Sequence, residues 1–161
     1  MDAEIIAEFR NESNPLLGEL GGYVEELEEF EGGDFPSATL ENFAQRVDRI
    51  MGAAKTIGMT EPEHWGLQAM GKIAELCKYT CYQAAKLRLA ALLPVFAAFL
   101  ADAVEMLQEL LDGIEDEARV QKARQTFAPV LQKRLEWLSQ KVQQQGSVDD
   151  EMRKILASLG A

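Results

Sequence analysis

Reactive side chains are scarce in this chain, and their spacing limits the reactions open to it. The one histidine, His64, stands two residues after Pro62 and beside Trp65. No Ser/His/Asp set, HExxH pair or glycine-rich phosphate loop accompanies it, so hydrolase, zinc-protease and nucleotide-binding readings lack their parts. His64 is expected to be a surface or helix-capping residue. Cys77 and Cys81 lie four apart on one face of a helical stretch. A zinc site needs further sulfur or nitrogen ligands; the two thiols are therefore expected as small buried apolar residues, with no metal or cofactor. The most informative set is Glu41, Gln45, Asp48, Gly52 and Lys55, which recur every three or four residues and share one side of a helix. Asp48 alone is a poor phosphoryl acceptor, because aspartyl phosphate chemistry uses further carboxylates around Mg²⁺ and a lysine. It reads either as a solvated surface carboxylate or as a partner contact. Gly52, in the helix interior, costs about 1 kcal/mol relative to alanine. That cost has a reason if a neighbouring helix, or another chain, approaches closely there.

The elements that carry these residues have a helical period throughout. The first places Ile5, Phe9, Leu16, Leu20, Tyr23, Leu27 and Phe30 inward and crowds its polar side with glutamates. Pro15 kinks it, or restarts it with Asn14 as cap. Residues 31–36 form a loop. Ser37 or Thr39 is expected to cap the second helix, whose inward face is Leu40, Phe43, Val47, Ile50, Ala54 and Ile57, with Gly58 as its stop. The third helix starts at Pro62 and uses Leu67, Met70, Ile73, Leu76 and Cys77; its end between residues 79 and 90 has no Gly or Pro to mark it. The fourth spans about residues 89–111, closed by Asp112-Gly113, with Pro94 in its first turn or kinking it. The fifth covers about 115–144, with Val120, Phe127, Val130, Leu131, Leu135 and Leu138 inward and a bend at Pro129. Gly146 breaks it, and residues 147–159 form a short final helix. Long helices with short loops predict an all-α, up-down antiparallel four-helix bundle over residues 1–115, extended by one or two helices over 115–161, as a single domain of 1–161.

The 161 residues are 47% hydrophobic, enough for one domain with a real core. With 27 acidic against 16 basic residues the net charge is −11, which repels nucleic acid and anionic lipid and favours basic or neutral protein surfaces. Residues 1–9 carry acids and no basic stretch, so a secretory signal is not expected. The apolar run 89–101 is shorter than the about 20 residues a bilayer core requires. It is read as a buried bundle helix, with no membrane insertion and a cytoplasmic setting.

Residues 48–59, DRIMGAAKTIGM, resemble the active-site helix of histidine phosphotransfer (HPt) domains, and most closely the N-terminal phosphotransfer domain of chemotaxis-type histidine kinases. That family's pattern is His-x-x-Lys-Gly, five residues, then Gly and an apolar residue. Gly52, Gly58, the small residues between them and Met59 match it. The acidic first helix, the loop, Leu40, Phe43 and Val47, and the third and fourth helices follow in the family's order. The resemblance thus covers roughly residues 1–115, and the fifth helix fits the chemotaxis-kinase version. Two positions depart: Asp48 stands where the phosphoacceptor histidine belongs, and Met51 where the supporting lysine belongs. Without the imidazole there is no nitrogen to form a phosphoramidate.

The resemblance implies a non-catalytic pseudo-HPt protein of two-component or chemotaxis-type phosphorelay signalling. Its partner would be a response-regulator receiver domain or a histidine kinase, met through Gln45, Asp48, Met51, Gly52 and Lys55, with Met51 expected to be exposed. Two other readings stand beside it. One is a structural or dimerising helical protein unrelated to phosphorelay, a possible homodimer that pairs through the fifth helix or through Met152, Ile155, Leu156 and Leu159. The other is an active phosphotransferase that uses another residue.

Overall fold

Hydrophobic stripes at three- and four-residue spacing condense into five long helices in a computed structural model that describes residues 2–143, 154, 155 and 157–159. They are α1 (Ala3–Glu28), α2 (Ser37–Thr60), α3 (Trp65–Leu87), α4 (Leu93–Asp112) and α5 (Glu117–Gln143), with a 3₁₀ turn, Ala90–Leu92, leading into α4. No strand occurs among the described residues. Helices α1 to α4 form a ring in which each packs on its sequence neighbours and α4 closes onto α1. Helix α5 lies outside the ring, mainly against α4 and partly against α3. Partners pair head to tail: Arg10 of α1 donates to the Leu111 and Asp112 carbonyls at the far end of α4, at 3.3 and 3.4 Å.

Helix α1 opens on Asp2, whose carboxylate accepts from the Glu4 amide at 2.9 Å, satisfying one of the orphan donors of a helix start. It runs through Pro15 without a restart. Its buried stripe is Ile6, Phe9, Ser13, Leu16, Leu20, Val24 and Leu27, with Leu17 beside it. Ile5 is 42% exposed, and Tyr23 and Phe30 are half-buried. The inward stripe starts at Ile6, not Ile5, and is continuous only through the buried Ser13, which a count of apolar residues passes over. Gly32 and Gly33 hold the following loop at φ 122° and 91°, a backbone region where a Cβ clashes.

The start of α2 also departs from expectation. Its N-cap is Pro36, and no side chain caps it. The Ser37 hydroxyl accepts from Arg88 at 3.0 Å, and the Thr39 hydroxyl donates to Glu26 at 3.0 Å. Both tie α2 to neighbouring helices. The expected inward residues Leu40, Phe43, Val47, Ile50 and Ala54 are buried, and Ile57 is half-buried. Gly58 does not stop the helix, which continues to Thr60, shortly before Pro62. Pro62 in turn lies in the connection before α3 and not within its first turn. His64 caps α3, its Nδ1 accepting from the Leu67 amide at 3.1 Å. The far end of α3 is closed by Arg88 in the left-handed region, φ 50°.

Helix α4 begins with Pro94 in its first turn, where a missing N–H costs nothing. Residues Ala90–Asp112 are long and apolar enough, by length and composition, to cross a membrane. In the bundle, Phe96, Phe99, Leu100, Met106, Leu107 and Leu110 from this stretch are buried, where α4 packs on α1, α3 and α5. Helix α5 contains Pro129. Of its expected inward residues, Val120, Leu131, Leu135 and Leu138 are buried, Phe127 is half-buried, and Val130 is 39% exposed. Val130 neighbours the inward Leu131 but belongs to the outer side of the helix. Met152 and Leu156 of the possible dimer surface lie outside the described residues. Ile155 and Leu159 are buried in this chain's own core.

Candidate functional site

Spacing singles out five residues on α2, and the helix presents them as one side. Glu41, Gln45, Asp48, Gly52 and Lys55 are all exposed. Met51 is the exception among the expected contacts: it is half-buried and packs against the core. Its position explains this, since 51 lies between Val47 and Ala54 on the flank of the inward stripe.

The exposed side does not stand alone, because α3 runs beside it. Asp48 Oδ1 accepts from Lys78 Nζ at 2.7 Å, and Lys55 Nζ donates to Glu75 Oε2 at 2.7 Å. These two bridges alternate in sign along the α2–α3 seam. The hydrogen bond to Asp48 pushes the Lys78 ammonium above its ordinary range, burial opposing it and the Asp48 charge adding to it. Lys78 Nζ also lies 5.8 Å from the centre of the Tyr82 ring, itself 53% exposed. Lys78, Glu75 and Tyr82 escaped the sequence reading, although a signal existed. Gly71, Glu75, Lys78 and Tyr82 step by four, three and four, the same rhythm as the marked stripe on α2.

The glycines divide into different roles. A Cβ at Gly52 would meet nothing within 4 Å, so no neighbouring helix explains its small size and the packing reading falls. Gly58 is buried, and a Cβ there would lie 3.1 Å from the Gln68 side-chain amide, which donates to the Gly58 carbonyl at 3.2 Å. Gly71, also buried, would place a Cβ 3.2 Å from the Lys55 stem. Gly58 and Gly71 therefore let α2 and α3 approach one another, while Gly52 leaves an open notch in the exposed side. At the Gly58 end of the seam an open cleft is bordered by Lys55, Met59, Gln68, Lys72 and Glu75. Met59 there is 82% exposed, and Ser158 lies at the edge with its carbonyl accepting from Lys72 at 3.0 Å.

The chemistry of the seam is that of paired charges. Asp48 has a lysine partner, as an aspartyl-phosphate site does, but the second α2–α3 bridge is Lys55–Glu75 and supplies no further acids around it. Among the described residues no group of three or more His, Cys, Asp and Glu side chains converges for a metal ion. His64 is engaged as a helix cap. Cys77 and Cys81 are free and fully buried. Burial pushes the Cys77 thiol up to about 12 and the Cys81 thiol well above its ordinary value, so neither supplies a thiolate near neutral pH.

Comparison with family models, with curated proteins and with solved structures returns no match for this chain.

Proposed function

We propose that the chain is a non-catalytic docking module of the phosphotransfer type, a cytoplasmic pseudo-HPt protein. On this reading it binds a response-regulator receiver domain or a histidine kinase through the α2–α3 seam. The observation that carries the reading is the open notch at Gly52, beside an aspartate where the resembled family has its phosphorylated histidine. A glycine with no neighbour inside its own chain gains nothing from its size in the bundle, whereas a partner backbone or apolar side chain seated there does. Gln45, Asp48 and Lys55 frame the notch from α2, and Glu75, Lys78 and Tyr82 extend it from α3. Because Lys78 neutralises Asp48, the aspartate serves as a fixed polar contact and not as a substitute for phosphohistidine. Met51 is half-buried against the core, so it adds at most its exposed edge to the contact.

The test is binding to a panel of purified receiver domains and kinase domains, wild type against Gly52→Gln. The expected outcome is loss of binding with helicity kept and melting equal to or above wild type, since the added side chain meets open space and removes the cost of a glycine inside a helix. Unchanged binding by Gly52→Gln would remove the notch from the interface.

A further inference from the structure

Charge is distributed very unevenly over the molecule. Of 16 basic and 27 acidic residues in the chain, six and two lie on α5, which leaves ten and 25 elsewhere. Inward, α5 buries Val120, Ala123, Leu131, Leu135, Leu138 and Val142. Outward, Lys122, Thr126, Val130, Lys133, Trp137 and Lys141 are all exposed and recur every three or four residues. Arg119 and Arg134 pair with Glu109 and Asp102 of α4, so the outer side carries Lys122, Lys133 and Lys141, with the exposed Glu136 at its margin. Along its middle lie Val130, 39% exposed, and Trp137, 45% exposed, with Lys141 Nζ 5.3 Å from the indole centre.

We infer that this outer side of α5 docks an acidic protein segment with an apolar stripe of its own, an amphipathic helix laid along α5. Tryptophan at the centre of a patch is the residue type that most often anchors a protein interface, and the lysines around it select negative charge and speed encounter. The rest of the chain argues against a broad polyanion. A bilayer surface or a nucleic-acid duplex would face the acidic bundle along with α5. A single helix is about 10–12 Å across, and charges beyond about 8 Å are largely screened at physiological salt. Such a segment can meet the lysines while the 25 acidic residues elsewhere stay mostly out of range. This surface is separate from the α2–α3 seam, since α2 neighbours α1 and α3 whereas α5 lies on α4 and part of α3. It does not depend on the pseudo-HPt reading.

The experiment uses the full chain and a fluorescently labelled synthetic helix with a leucine stripe flanked by glutamates, followed by anisotropy. A second peptide carries glutamine in place of every glutamate. Wild type is expected to bind the acidic peptide with affinity that falls as salt rises, and to bind the neutral one about tenfold more weakly. Trp137→Ala is expected to weaken binding of the acidic peptide about thirtyfold, and Lys133→Glu with Lys141→Glu at least about tenfold. Helicity and melting of each variant, checked alongside, are expected to match wild type because all three side chains are exposed. The proposal is overturned if the acidic peptide does not bind at low salt, or binds the variants as tightly as wild type. It is equally overturned if phosphatidylserine-containing vesicles bind through these residues and the peptide does not. Concentration-dependent self-association that these substitutions abolish, without peptide binding, would assign the face to a second copy of the chain.

Discussion

Asp48 is exposed on its own helix, yet Lys78 holds it at 2.7 Å from across the seam. A bridge this open to water contributes about 0–1 kcal/mol, so Asp48→Asn is expected to lower stability by less than about 1 kcal/mol in chemical denaturation. Its pH dependence has a definite sign. The Lys78 ammonium is raised above its ordinary value of 10.5, and a raised cation stabilises the fold at all pH values below that ordinary value. The contribution disappears as pH climbs through the raised folded value. The stability difference between wild type and Asp48→Asn should therefore be level from neutral pH into the mildly alkaline range and shrink only above 10.5. A difference that vanishes already at pH 8 would show that Lys78 is not the partner in solution. Arg88 allows a second test at the same scale, because its left-handed backbone, φ 50°, disfavours any side chain. Arg88→Ala and Arg88→Gly both lose the contacts to Ser37 and to the Phe35 ring. Only the glycine variant relieves the backbone, so it should be the more stable of the two by about 1 kcal/mol.

Between α3 and the connection that follows α4, the close approach is set by Gly66, where a Cβ would lie 2.7 Å from the Ile114 carbonyl oxygen. Gly66→Ala is accordingly expected to destabilise by about 1–3 kcal/mol, read from the denaturation midpoint, in contrast to Gly52→Ala, which meets open space. Nothing in the sequence distinguishes these two glycines, since both sit in helical runs and only the neighbouring element decides which is crowded. Much else at this level was legible. The stripe from Leu40 through Ala54 and that from Leu67 through Cys77 are buried as their spacing predicts, because apolar residues alone define both. Helix α1 misled by one residue at Ile5 because its stripe runs through a serine. The ends of α2 misled because proline and tertiary contacts outweighed local capping: Ser37 and Thr39 bond to other helices, and Gly58 accommodates Gln68. The α2 side of the seam was readable from period alone, whereas its α3 side needed the bundle to show which stripe faces Asp48.

For the molecule as a whole, the four-helix ring positions the seam, and Ser158 and Leu159 are tied by their carbonyls to Lys72 of α3 and Arg124 of α5. Arg124 of α5 donates to the Leu159 carbonyl at 2.7 Å and lies 5.8 Å from the Trp65 ring centre. Ile155 and Leu159 are buried in the common core. Removing residues 144–161 should thus lower the melting temperature and shift Trp65 emission to the red, measured in a Trp137→Phe background so that one indole reports. An unchanged emission would mean that Leu159 does not border Trp65 in solution. The all-α bundle itself was legible because helical periodicity extends over nearly the whole chain. The contrast between α5 and the rest was not, since its outward lysines and Trp137 stand out only when the acidic remainder of the chain is set beside them.

The central claim is that the α2–α3 seam is a phosphotransfer docking face without its phosphoacceptor. Its most direct test replaces Asp48→His and Met51→Lys together, then offers the variant and the wild type to phosphorylated receiver domains and to histidine kinases with ATP. Acid-labile label on the double variant and none on the wild type is the predicted result. Label on the wild type, or on neither protein across the panel, would contradict the account.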